Sequence, residues 1–296
     1  MKWTRGHVSS NVEDRRGGGG GRRRAVKTGG VALGGGGVIG LIVFLLVQTG
    51  VIGGDVGQVV QSQVQGQRQA PAAPATPIDP ATDKERPLVE FISFALDDIQ
   101  GTWRKQFAKN GKRYQDAKLV LFSGSIDSAC GYSSAAVGPF YCPADQKAYI
   151  DLSFYRELSR RFGAPGDFAQ AYVLAHEIGH HVQTILGISS KVHAQKQRNP
   201  SRKNDLSVRQ ELQADCFAGV WAHSTSKREL LDRGDIEEGL RAASAIGDDT
   251  LQKKSGGRVQ PESWTHGSSA MRMRWFKRGL NSGDMNSCDT YSTSRL

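Results

Sequence analysis

A stretch without any charged side chain, between Lys27 and Asp55, divides this chain of 296 residues. Within it, residues 31–52 are apolar or glycine-rich and long enough for one helix to cross a hydrocarbon core of about 30 Å. A signal peptide is a weaker interpretation, because the leader would be long and no small-x-small cleavage site follows directly. A buried helix of a soluble domain is weaker still, since glycines 34–37 would destabilise it. The sequence therefore predicts a transmembrane helix over residues 31–52.

Charge predicts the orientation of that helix. Residues 1–30 contain eight Lys or Arg and two acidic residues, a net of +6 out of +10 for the whole chain. Because basic flanks tend to stay inside, we expect a basic cytoplasmic tail over 1–30, a single-pass anchor in the cell membrane and an extracytoplasmic domain. The rest of the chain is only mildly basic, which argues against a nucleic-acid partner, since duplex binding requires a clustered basic face. The alternative is a tail that binds nucleic acid or anionic lipid.

The composition changes twice more along the chain. Residues 53–87 are rich in Gln, Ala and Pro without an apolar period, which indicates a disordered linker. From Leu88 the composition is that of a globular domain, so we predict one folded domain over 88–296. Apolar spacing predicts helices and two short strands there, and the layout is α+β, helix-rich with a small sheet. The helices are expected near 88–108, 153–162, 167–186, 207–225, 235–247 and 268–279, and the strands at 117–124 and 147–154.

Four cysteines fit an extracytoplasmic domain. None of them forms a C-x-x-C pair, which excludes a zinc ribbon. In an oxidising compartment we expect Cys130 to pair with Cys142 and Cys216 with Cys288, which is one of the three connectivities that four cysteines allow. Four unpaired buried thiols in a cytosolic protein are the alternative.

The stretch "AYVLAHEIGHHVQTILG", residues 171–187, carries the clearest chemical signal. On a helix, its apolar residues form one stripe, and His176 and His180 lie one turn apart on the opposite side. Two imidazoles at this spacing can bind the same ion, and Glu177 beside them can reach a water on that ion. The pattern therefore predicts a metal-binding helix. A surface helix with solvated histidines is the alternative.

A catalytic zinc site requires three protein ligands and one open position. In "VRQELQADCFAGVWAH", Glu211 and Asp215 lie one turn apart on a face that continues with alanines, and the alanines would let the helix approach another closely. We predict Glu211 as the third ligand of one Zn²⁺ per chain. We predict that Asp215 accepts the free ring N–H of His176. A capping box of Ser207 and Gln210 is expected to start this helix.

Other residues are candidates for contact with a substrate. His266 precedes a glycine and a predicted helix, a loop position from which it could stabilise an oxyanion. Tyr149 is a second candidate for that role. The strand of residues 147–154, which holds Tyr149 and Asp151, is a candidate edge strand to which an extended peptide could add. An interior strand is the alternative for it, and an N-terminal helix contact is the alternative for His266.

Taken together, the motifs resemble a family of membrane-anchored bacterial proteins known as neutral zinc metallopeptidases. The resemblance rests on "NVEDRRG", "CGYSSAAVGPFYCPADQKAYIDLSFY", "AHEIGHHVQ", "ELQADCFAGVWA" and "HGSSAMRMRWFKRG". More broadly, HExxH followed by E-x-x-A-D is similar to gluzincin-type zinc peptidases. That similarity implies a zincin-like fold with His176, His180 and Glu211 as ligands and Glu177 as general base.

The resemblance also implies a reaction. Zinc would activate a water and polarise the scissile carbonyl of a peptide or protein substrate, and Glu177 would move the proton of that water to the leaving amine. A catalytically inactive zinc-binding scaffold at the membrane is the main alternative, although it would be expected to lack Glu177. A zinc amidase acting on cell-wall peptide is another. The sequence does not indicate the oligomeric state.

Overall fold

The structure is a computed structural model that describes residues 1–17, 78–79, 81–256 and 258–296. Its strands are β1 (Val12–Asp14), β2 (Lys118–Phe122), β3 (Ser125–Ser128), β4 (Gly131–Ser134), β5 (Phe140–Cys142) and β6 (Lys147–Asp151). Its helices are α1 (Arg86–Lys109), α2 (Ser153–Arg160), α3 (Asp167–Ile185), α4 (Ile188–Arg198), α5 (Lys203–Lys227), α6 (Asp235–Ala245), α7 (Asp248–Lys254) and α8 (Ser269–Ser282). The helix-rich α+β prediction is confirmed.

The main sheet has the strand order β1-β2-β6-β5. Strands β1, β2 and β6 are parallel and β5 is antiparallel to β6, while β3 and β4 form a separate hairpin. Because successive side chains of β2 point to opposite faces of the sheet, Leu119 and Leu121 lie in the large core shared with the helices. Val120 and Phe122 point to the other face, where they pack in a smaller cluster with Cys142 and Tyr149.

The helices pack by apolar stripes and by close approach of small residues. The buried residues of α1 follow the helical period, with Ile92, Leu96, Ile99 and Trp103 all fully buried. Helix α8 lies against α5, and a Cβ added at Gly279 would come within 1.9 Å of the Cys216 carbonyl oxygen. Only a glycine allows this approach.

Two disulfides join separate elements of the fold. Cys130 pairs with Cys142, which ties the β3–β4 hairpin to β5, and Cys216 pairs with Cys288, which ties α5 to the segment after α8. These are the two pairs expected from the sequence.

The N-terminal segment differs from the prediction. Residues 12–14 of the expected cytoplasmic tail form β1, whose Val12 is in register with Leu119 of β2. Arg16 is 9% exposed, and its guanidinium lies 2.7 Å from a carboxylate oxygen of Asp14 and 2.7 Å from one of Asp83. The folded domain therefore includes residues 1–17, and its start at residue 88 is corrected. Sheet pairing between β1 and β2 requires both strands on the same side of any membrane, so it is at odds with a tail and a domain on opposite sides.

The predicted transmembrane helix, residues 31–52, and most of the predicted linker, residues 53–87, lie outside the described residues. Among the helices that the structure does describe, none combines the length and the apolar character that a membrane crossing requires.

The strand predicted at 147–154 is β6, and it is interior, between β2 and β5. The prediction of an edge strand is therefore wrong. Tyr149 is paired on both sides, with Val120 of β2 and Phe140 of β5, and Asp151 is paired with Phe122 of β2. The Tyr149 hydroxyl donates to Asp145, and the Asp151 carboxylate accepts from the Gly124 and Ser153 amides. These two side chains stabilise turns at the ends of the strand.

Candidate metal centre

Helices α3 and α5 cross where both carry small residues. A Cβ added at Gly179 would lie 3.0 Å from Cα of Ala214, so the two backbones are in near contact. This approach brings His176 and His180 of α3 against Glu211 of α5. The alanine-rich face of α5 packs inward, as its alternation of acids and alanines predicted.

The three side chains have the spacing of metal ligands. His176 Nε2 lies 3.1 Å from Glu211 Oε2, and His180 Nε2 lies 3.4 Å from Glu211 Oε1. One ligand atom from each residue lies within 4.8 Å of the others. Donor atoms about 2.0–2.1 Å from a tetrahedral zinc ion are separated by roughly 3.3 Å, and two histidines with one glutamate are a known catalytic donor set. The residues therefore fit a zinc ion.

Asp215 orients the His176 ring through its Nδ1 atom, on the side away from Glu211. The His176 Nδ1–H donates to Asp215 Oδ1 at 2.8 Å, since a carboxylate can only accept. The other ring nitrogen, Nε2, then faces Glu211 and the position of the ion. Burial disfavours a charged imidazole, but the charge and hydrogen bond of Asp215 dominate and raise the pKa of His176 to about 10 in the metal-free protein.

Arg272 of α8 holds Asp215 in turn. Its Nε lies 2.8 Å from Asp215 Oδ2 and its Nη2 lies 2.9 Å from Asp215 Oδ1, and both side chains are almost fully buried. The Tyr172 hydroxyl also donates to Asp215 Oδ1, at 2.5 Å. Burial would raise the pKa of Asp215, but the charges of Arg272 and His176 lower it to about 2. Asp215 is therefore an anion that keeps its acceptor role.

Glu177 is buried and lines the same cavity as the three ligand candidates. Burial is the main cause that raises the pKa of its carboxyl group, and the neighbouring Glu211 adds to this. The cavity has a volume of about 330 Å³. The carboxylate therefore faces a space in which a metal-bound water and a substrate could meet it.

His266 also lines this cavity. Its loop is organised by Asp248 at the start of α7, whose Oδ2 accepts the backbone N–H groups of Thr265, His266 and Gly267 at 2.7–2.9 Å. The His266 Nδ1–H donates to Asp248 Oδ1 at 3.1 Å. Burial opposes protonation of the ring, but this bond and the nearby acids raise the pKa of His266.

The sequence comparison agrees with this geometry. The chain matches the family described as "Putative neutral zinc metallopeptidase" over residues 1–291. The chain belongs to this family. The matched residues include those of β1.

Two relatives of this chain bear names that state no activity. An uncharacterized protein of Escherichia coli K12, named YpfJ, is 48% identical over 296 residues, which cover 99% of this chain and 100% of the relative. An uncharacterized protein of Mycobacterium tuberculosis H37Rv is 46% identical over 194 residues, 62% of this chain and 65% of the relative. No solved structure matches the chain.

Three residues of the candidate site were not found from the sequence: Gln183, Asp248 and Arg272. Gln183 had a local signal, because a residue three positions after His180 lies near it on a helix. For Arg272 the only sequence signal was its helical phase, which places it on the buried face of α8, whereas Arg274 is exposed. Asp248 had none, since it reaches His266 from a separate helix.

The remaining histidines are remote from the ligand set. His181 is buried, and its ring bonds the Gln115 carbonyl oxygen and the Tyr141 hydroxyl, as expected of a structural residue. His193 lies on α4, in a region that the sequence analysis had not assigned to a helix, and bonds Gln197. His223 donates to the Leu280 carbonyl oxygen at 2.7 Å.

Proposed function

We propose that this protein is a zinc-dependent peptidase that cleaves peptide bonds in a peptide or protein substrate. One observation carries the proposal: His176, His180 and Glu211 converge at tetrahedral spacing, and Glu177 lines the same cavity. A merely structural zinc site would be closed by a fourth protein ligand. Among the described residues, the metal-binding group at this position contains three.

The mechanism assigns each side chain a task. His176, His180 and Glu211 would hold Zn²⁺, which when bound polarises the substrate carbonyl and acidifies a water. Glu177 accepts a proton from that water and delivers it to the leaving nitrogen. His266, oriented by Asp248, donates a hydrogen bond to the oxyanion that develops on the substrate.

The substrate strand is proposed to be different from the one expected from the sequence. Strand β5 is the edge of the sheet next to the cavity, and residues Val137–Tyr141 line the cavity wall. An extended peptide could add to this edge by backbone hydrogen bonds. That placement would bring its backbone past the metal centre.

The two disulfides support a location in an oxidising, extracytoplasmic compartment. The uncharged segment at 31–52 supports contact with a membrane. Because β1 pairs with β2, we propose that residues 1–17 and the main domain lie on the same side of that membrane.

The test combines metal content with turnover, in the full chain, since residues 1–17 belong to the fold. The wild-type protein should bind zinc at a ratio near one and cleave a peptide library, read by mass spectrometry. Glu211→Ala should lose the zinc. Glu177→Gln should keep it and lose turnover by roughly 10²–10⁴-fold or more. The matched control is Glu157→Gln, whose half-exposed side chain pairs with Arg161 on the surface, and it should change neither.

The outcomes separate the two candidate functions. Zinc binding without cleavage in any library would favour the inactive scaffold. Cleavage that persists in Glu177→Gln above a tenth of the wild-type rate would reject Glu177 as the base. Unchanged zinc in Glu211→Ala would reassign the third ligand.

A further inference from the structure

The cavity beside the metal centre is lined by side chains of two kinds. The metal-binding side chains and Glu177 are polar, whereas Phe154, Phe162, Val173 and Leu251 form an apolar part of the wall, here called the apolar half. Both kinds of side chain line one continuous space. A peptide whose carbonyl group reaches the metal centre would therefore direct a neighbouring side chain toward the apolar half.

The residues of the apolar half come from separate elements, one of which, α3, also carries Glu177. Val173 precedes Glu177 by one turn on α3, so both face the cavity from the same stripe. Phe162 follows α2 and Leu251 belongs to α7, and the Lys254 ammonium lies 5.1 Å from the centre of the Phe162 ring, which places the two segments in contact. The wall is therefore built by residues from separate elements that pack on one another.

The charged side chains that line the cavity belong to the metal centre and its partners. Of the described residues that line it, the only carboxylates are Glu177 and Glu211, and the Arg272 guanidinium is already paired with Asp215. The Lys254 ammonium contacts the Phe162 ring but is exposed and does not line the cavity. A charged substrate side chain in the apolar half would therefore be buried without a partner, at a large cost. A large aliphatic or aromatic side chain would instead bury apolar area.

We propose that the apolar half selects substrates with a large aliphatic or aromatic side chain next to the scissile bond. This specificity rests on the proposed peptidase function, and it narrows the substrate class to peptides with such a residue.

The test uses hydroxamates bound to the zinc-loaded full chain, measured by calorimetry. Acetohydroxamate reports an open metal position alone, and three succinyl hydroxamates carry a methyl, an isobutyl or a carboxymethyl group as their side chain. The isobutyl compound should bind roughly 10- to 100-fold more tightly than the methyl compound. The carboxymethyl compound should bind more weakly than the methyl compound.

Substitutions in the apolar half test whether it causes the preference for the isobutyl compound. Leu251→Asp should abolish the preference for isobutyl, and the matched control Lys253→Asp, at an exposed position on the same helix, should retain it. If Leu251→Asp does not fold, Phe162→Ala should weaken isobutyl binding and leave methyl binding unchanged.

Two failures can be distinguished. Equal binding of all three compounds, with acetohydroxamate bound, would overturn the specificity and leave the peptidase proposal standing. Failure of acetohydroxamate to bind the zinc-loaded protein would contradict the open metal position and with it the peptidase proposal.

His180, the second histidine of the candidate metal centre, is bonded to a buried glutamine. His180 Nδ1 lies 2.9 Å from Gln183 Oε1, and Gln183 is fully buried. The Gln183 amide Nε2 donates to the Gln210 carbonyl oxygen at 2.7 Å and to Gln213 Oε1 at 3.1 Å. The amide of Gln213 donates in turn to the Cys288 carbonyl oxygen at 3.0 Å.

This chain of bonds has a single consistent direction. The Gln210 carbonyl can only accept, so the NH₂ group of Gln183 faces it and the Gln183 oxygen faces His180. That oxygen can only accept, so His180 carries its proton on Nδ1. Nε2, 3.4 Å from Glu211 Oε1, keeps the lone pair that a metal requires.

We infer that Gln183 is a positioning residue that sets the ring orientation and tautomer of His180. Gln183→Met should lower zinc affinity roughly 10- to 100-fold, measured by competition with a chelator. Gln183→Glu keeps an acceptor for Nδ1–H, and its protonated carboxyl group can still donate to the Gln210 carbonyl oxygen, so it should lose less zinc affinity than Gln183→Met. Gln100→Met is the matched control, since Gln100 is equally buried but bonds the Ala117 amide instead. It should lower thermal stability and leave zinc affinity unchanged.

Wild-type zinc affinity in Gln183→Met would overturn this inference. Equal losses in Gln183→Met and Gln183→Glu would also overturn it, because packing rather than the acceptor would then be responsible. If Gln183→Met does not fold, Gln213→Met removes the group that holds the Gln183 amide and should reduce zinc affinity by a smaller factor.

Discussion

Replacing Arg272 by Met should be among the most destabilising single changes in this protein. Arg272 is 2% exposed and makes two hydrogen bonds to Asp215, which is fully buried. The variant keeps a side chain of similar length but leaves the Asp215 carboxylate without its cationic partner. His176 and the Tyr172 hydroxyl remain as its hydrogen-bond donors.

The magnitude can be bounded from two directions. Breaking a buried ion pair by removing one partner typically costs about 3–5 kcal/mol. The pKa of Asp215 is lowered from 3.8 to about 2 despite burial, and a lowering of that size corresponds to roughly 2 kcal/mol. Arg272 provides the largest opposing contribution to that lowering, so we expect a loss of about 3 kcal/mol near neutral pH.

The assay is denaturant unfolding of the metal-free full chain at pH 7, followed by tryptophan fluorescence. Arg274→Met is the control, two residues away and exposed on the same helix, and should change stability by less than about 0.5 kcal/mol. The double variant Asp215→Asn/Arg272→Met removes both charges, so its loss should be smaller than the sum of the two single losses. A loss below about 1 kcal/mol in Arg272→Met would refute the reasoning.

Three further predictions follow from the fold and the site. Because the pKa of His176 is raised to about 10 in the metal-free protein, zinc binding at pH 7 should release protons and weaken as the pH falls; calorimetry in buffers of different ionisation enthalpy measures the release, and no release would contradict it. Gly279→Ala should destabilise the protein by about 2 kcal/mol or more, since its Cβ would meet the Cys216 carbonyl; an unchanged melting temperature would contradict this. Cysteines placed at the exposed positions Val8 and Lys277 should react equally with an impermeant thiol reagent in intact cells, and labelling of only one would contradict the β1–β2 pairing.

Two differences between the sequence-based expectations and the structure, at helix α4 and at the start of α5, have local physical causes. Helix α4 was not predicted because only Val192 on it is buried, so it has no apolar period. The capping box at Ser207 was wrong, since α5 begins at Lys203 and the Ser207 hydroxyl donates to the Lys203 carbonyl oxygen within the helix. A hydroxyl can make either bond, and the sequence pattern does not distinguish them.

The sequence by itself determined the parts of this protein that depend on spacing along one helix. His176 and His180 share a face because four residues make about one turn, and the same rule places Glu211 with Asp215. Tertiary structure decided which side chains complete the site and which strand borders it. Arg272 reaches Asp215 from another helix and Asp248 reaches the His266 loop. Strand β1 pairs with β2 across more than 100 residues of chain, and β5 rather than β6 is the edge strand. Such pairings depend on the packing of the whole chain, and no local period along the sequence records them.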